Sequence, residues 1–174
     1  MVMAIDNPIG LDAVIAQVQS KLMQLESTWG VELDGYPRCY PQKVKDKKTI
    51  AHFVKNKDYK PLIHAERNKF FFTADDDEES VGNGYETTKL KLYFIVNVSE
   101  CYPSILHRAD NEVRVDVKNI LYTVAGIEIN ETVKEIDKVF SGYDYKITED
   151  MQPYHAFRID LTAFEYKIDQ TYCN

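Results

Sequence analysis

Apolar residues recur at helical spacing near the amino terminus, where Leu11, Val14, Ile15, Val18, Leu22 and Leu25 share one face and polar residues fill the other. That 3.6-residue period predicts an amphipathic helix over 11–25, with Pro8 suited to its first turn after Asp6 or Asn7. Trp29 to Leu33 reads as a short strand. Asp34-Gly35 reads as a turn, and the two prolines between Tyr36 and Pro41 limit that stretch to a sheet edge or a loop.

Periodicity changes further along. Seven lysines crowd residues 42–60, and only Ile50, Ala51, Phe53 and Val54 give that stretch an apolar side, so it reads as an exposed insertion carrying a short helix. Lys69 to Thr73 is an aromatic strand that runs into Asp75, Asp76, Asp77, Glu78 and Glu79 and then Gly82-Asn83-Gly84, which together read as a loop tip. The returning strand, Tyr85 to Val98, alternates. Leu90, Leu92, Phe94, Val96 and Val98 take one face, and Lys89, Lys91, Tyr93 and Asn97 take the other. The two strands make a long hairpin with an acidic tip.

A second helix is expected over 110–124, capped by Asp110 or Ser104, with Val113, Val117, Ile120, Leu121 and Val124 on its buried stripe and Gly126 ending it. A strand over 132–140, a Ser141-Gly142 turn and a polar connection through Glu149 and Asp150 follow. The last strand spans Tyr154 to Ile168, with Phe157, Ile159, Leu161 and Ala163 on the packed face. The order of helix, strands, helix, strands predicts a single α+β domain over 1–174. Its sheet is antiparallel or mixed, with both helices on one face and a long extended β-hairpin. Leu22, Leu92, Phe94, Val117, Leu121, Phe157, Ile159 and Leu161 are the expected core.

Composition narrows the classes. The 174 residues suffice for one core, and no apolar run approaches the roughly 18 residues of a membrane span. The first ten residues carry Asp6 and no Lys or Arg, so no secretory leader is expected. Cys39, Cys101 and Cys173 are widely separated and contain no Cys-x-x-Cys pair, the pattern of free thiols in a reducing compartment. A net charge of -7 opposes the phosphate neutralisation that drives nucleic-acid binding. The 12 tyrosines suit strands, and they also suit protein interfaces.

Every chemical motif tested fails. The acidic run is contiguous, whereas a calcium loop alternates its ligands and ends on a distal Glu. His52, His64, His107 and His155 show no paired zinc spacing. There is no nucleophile elbow and no phosphate-binding glycine loop. The enzymatic alternative is a magnesium-dependent nuclease that groups Asp137, Asp160 and Glu165 with Lys138 or Lys167 at strand ends. In a regular strand, Asp160 and Glu165 would point to opposite faces. No catalytic residue, metal or cofactor is expected.

In layout the chain resembles the tail terminator and tail completion proteins of tailed bacteriophages, small α+β subunits that form a ring at the head-proximal end of the tail. The opening helix 11–25, the hairpin 69–98, the middle helix 110–124 and the final strand carry the resemblance. The final strand reads Tyr-His-Ala-Phe-Arg-Ile-Asp-Leu-Thr-Ala-Phe-Glu-Tyr-Lys-Ile from Tyr154 to Ile168, with Arg158 set among alternating aromatic and aliphatic residues. The lysine-rich insertion and the aromatic-rich connection before Pro103 depart from the family pattern. A neck ring of a short-tailed phage, including the crAss-like group, is therefore an equal address.

The resemblance implies a structural virion protein at the head-tail junction, assembled in the host cytoplasm. It would form a homo-oligomeric ring that meets portal, connector or tail proteins and passes DNA without specific binding. Asp75, Asp76, Asp77, Glu78 and Glu79 are then candidates for an interface or for the lumen, because acidic side chains repel phosphate. A third class remains beside ring and nuclease: an intracellular adaptor that binds another protein through Tyr-rich strand faces.

Overall fold

The opening helical stripe forms α1, Leu11–Leu22, and buries Leu11, Ile15, Val18 and Leu22. A computed structural model of the chain describes residues 1–43, 49–55, 58–63, 66–82, 84–143 and 152–167. The helix stops earlier than its apolar stripe. The chain turns at Met23 and restarts as α2, Gln24–Trp29, which buries Leu25 and Trp29 and ends on Gly30 in the left-handed conformation. Trp29 thus belongs to a helix rather than to a strand. Gly10, not Asp6 or Asn7, precedes α1, which leaves Pro8 outside it.

The first sheet strand is β1, Asp34–Arg38. Asp34-Gly35 is therefore strand and not turn. A side chain at Gly35 would meet Phe70 Cζ at 2.7 Å and Met23 Sδ at 2.9 Å, so the glycine serves close packing. The lysine-rich stretch forms strands where a short helix was expected: β2, Tyr40–Lys43, β3, Thr49–Lys55, and β4, Asp58–Pro61, in a separate antiparallel sheet. Thr49, Ile50, Phe53 and Val54 are β-branched or aromatic, and they favour a pleated backbone over a helix.

The hairpin is built from β5, Lys69–Gly82, and β6, Tyr85–Asn97. A one-turn helix α3, Val98–Cys101, follows, capped by the Asn97 side chain, which accepts from the Ser99 and Glu100 amides. Helix α4 spans Asp110–Leu121 and buries Val113, Val117 and Leu121. Ala109 precedes it and offers no side-chain cap, while the Asp110 carboxylate accepts from Arg108 instead of capping the helix. Gly126 does have positive φ, and it turns the chain into β7, Ile127–Val133. The strand expected over 132–140 is replaced by the end of β7 and a short helix α5, Ile136–Val139. There Ile136, Val139 and Phe140 follow three- and four-residue spacing. Strand β8, Tyr154–Lys167, closes the fold; the polar connection through Glu149 and Asp150 lies outside the described residues.

The result is an α+β domain on a mixed five-stranded sheet in the order β1-β5-β6-β8-β7. Strand β1 runs parallel to β5, and the other three pairings are antiparallel. Phe70, Phe72, Leu90, Leu92, Phe94, Phe157, Ile159 and Leu161 share one cluster with the apolar stripes of α1 and α4. All eight expected core residues are in it. The opposite face is also buried. There Phe71, Tyr93, Ile95 and Ala156 pack with Cys39, Ala51, Leu62, Val139 and Phe140. Burying one Phe side chain is worth up to about 3 kcal/mol, so a sheet covered on both faces is strongly anchored at its centre.

Near its end β8 departs from regular pairing. Thr88 is opposite Ala163 while Glu86 is opposite Tyr166, so one extra residue sits on β8. Glu165 occupies that bulge with φ of 45°, and its amide donates to Thr87 Oγ1 at 3.3 Å. The bulge restores Tyr166 to the buried face, where its hydroxyl lies 2.6 Å from Thr88 Oγ1.

Candidate functional site

The acidic run lies inside a strand. Backbone pairing continues from Lys69 opposite Ile95 to Gly82 opposite Tyr85, so Asp75, Asp76, Asp77, Glu78 and Glu79 precede the turn rather than form it. Ala74 is opposite Leu90 and Glu78 is opposite Thr88, so four residues of β5 span two of β6. The chain bulges at Asp75–Asp77. On its other side, β5 is covered by β1 only as far as Phe72, whose carbonyl accepts from the Cys39 amide at 2.6 Å. Among the described residues no strand pairs with the outer edge of β5 beyond that point.

The opposite end of the sheet forms a cleft of about 530 Å³, lined by Glu32, Asp34, Glu66, Arg67, Glu100 and Tyr154, among others. Its floor is a fixed polar network. Asn68 Oδ1 accepts from the Asn97 amide at 2.6 Å, and the Asn68 and Asn97 side-chain amides donate to the two Glu100 oxygens at 3.1 and 2.9 Å. Lys69 is buried beside it. Desolvation pulls that amine down to about 8, against the attraction of Glu66 and Asp34. No sequence spacing announces this cleft, because its lining residues come from segments as far apart as Gly30 and Tyr154.

Two of the nuclease candidates, Asp160 and Lys138, are held in ion pairs with other residues. Asp160 is engaged by Arg158, whose Nε and second terminal nitrogen donate to the two carboxylate oxygens at 2.6 and 2.9 Å. The other terminal nitrogen of Arg158 donates to the Lys138 and Val139 carbonyls at 2.9 and 3.3 Å, tying α5 to β8. Lys138 pairs with Glu135 at 2.8 Å. Asp137, Glu165 and Lys167 are exposed. Among the described residues no group of three His, Cys, Asp or Glu side chains is placed to hold a metal ion.

Burial pushes the Cys39 thiol far above its usual range and the Cys101 thiol up to about 12, so neither is a thiolate near neutrality. His107 lies 2.9 Å from Glu112. His155 lies beneath Arg114 and against the Phe157 ring. Cys173 and His64 lie outside the described residues, as does the side chain of His52. No protein-family model matches the chain, and neither does any curated protein.

Proposed function

We propose that this protein is a structural subunit of a ring at the head-tail junction of a tailed bacteriophage, as terminator, completion protein or neck ring, through which DNA passes. The observation that carries the reading is the outer edge of β5, which beyond Phe72 has no partner among the described residues. An open edge is a liability in a monomer, and a neighbouring copy in a ring covers it. In this reading both long helices lie on one face of the sheet, and the hairpin reaches past the body to a neighbouring subunit, an adjoining ring or the lumen. The resemblance in element order supports it. So does the net charge of -7, which keeps a channel wall from trapping DNA.

Native mass spectrometry of the purified chain, together with a reconstruction of the assembled particle, tests the proposal. A cyclic oligomer, free or on the virion, with residues 70–98 touching another chain is the expected result. A chain that is monomeric and absent from virions overturns it.

A further inference from the structure

The chain carries two runs of opposite charge. Residues 75–79 are five consecutive acids, whereas residues 42–60 hold seven lysines against two aspartates. The acids occupy β5 where its outer edge has no described partner strand. Lys43, Lys55 and Lys60 belong to the β2-β3-β4 sheet, whose outer strands each pair with β3 alone among the described residues. That sheet is anchored, because Ala51 and Leu62 are buried in the second core cluster.

Two acidic edges repel each other, so the edge of one copy is matched by a basic surface of the next and not by a second acidic edge; repeated around a ring, that contact is head-to-tail. We propose that the outer edge of β5 over residues 73–82 takes the lysine-rich three-stranded sheet of a second copy of this chain. The proposal rests on the ring reading and names its contact. Opposite charges fix the register between neighbours, and a head-to-tail contact is the kind that closes into a ring.

The test is a pair of charge-reversed chains of matched size. One carries Asp75→Lys, Asp77→Lys and Glu79→Lys; the other carries Lys43→Glu, Lys55→Glu and Lys60→Glu. Each alone sets like charge against like and is expected to lose about tenfold or more in self-association. Mixed in equal amounts, they are expected to recover assembly as alternating oligomers, read by native mass spectrometry. If the parent forms rings and both reversed chains do so equally well, this contact is wrong and the ring stands. If each reversed chain melts earlier and the mixture stays monomeric, the charges pair within one subunit and the contact is wrong. A parent that is monomeric and absent from virions removes the ring and the contact together.

Discussion

The indole nitrogen of Trp29 donates to Asp116 Oδ2 at 2.8 Å, joining the end of α2 to the middle of α4. The Tyr102 hydroxyl donates to the same oxygen. One carboxylate thus fastens three segments over the apolar cluster. Asp116→Ala leaves both donors without their acceptor and is expected to cost about 2–3 kcal/mol in urea unfolding. Asp116→Asn keeps an acceptor and should lose less. Equal losses for the two variants would mean that these hydrogen bonds contribute little.

Gly35 faces the ring of Phe70, which is fully buried and cannot withdraw. Gly35→Ala is expected to lower stability by about 1–3 kcal/mol through overpacking, measured by chemical denaturation. An unchanged midpoint would show that β1 can shift away from β5 at no cost.

The same glycine shows where the sequence misleads. Asp-Gly is a turn dipeptide, and only the approach of Phe70, from a distant strand, makes it part of the sheet. The period-two and 3.6-residue patterns were readable where one face is buried, as at Phe157, Ile159 and Leu161 or at Val113, Val117 and Leu121. Tyr93 was less readable. It sits among Lys89, Lys91 and Asn97 and reads as the solvent side, yet it is buried between the rings of Phe71 and Phe140. The edge position of the acidic run was not readable at all, since it depends on where β1 stops.

His155 supplies a pH dependence. Arg114 donates to its Nε2 at 2.8 Å, so the ring is neutral with its proton on Nδ1, 3.7 Å from Asp110 Oδ2. Desolvation lowers its pKa from 6.5 to about 4, Asp110 opposes the shift, and Arg114, Arg108 and Lys134 reinforce it. The folded value lies below the unfolded one, so this contribution is complete above pH 6.5 and is lost as pH falls towards 4. The loss is on the order of 2–3 kcal/mol. Thermal melts from neutral pH down to the folded-state value should show that slope, and His155→Gln should flatten it. A variant with the parent's slope would assign the dependence to other groups.

Asp160 offers a test of the nuclease alternative. A carboxylate that receives two hydrogen bonds from Arg158 is held by a cation already, and Glu165 is exposed at the bulge further along the strand. Duplex and single-stranded DNA incubated with the protein and magnesium or manganese are therefore expected to stay intact on a denaturing gel. Asp160→Ala should act on stability instead, lowering it by about 2–3 kcal/mol because Arg158 keeps a half-buried charge without its partner. Arg158→Ala should have a comparable effect, and replacing both should cost less than the sum of the two. Metal-dependent cleavage that disappears in Asp160→Ala while the variant remains folded would overturn the structural reading and make this pair part of a catalytic site.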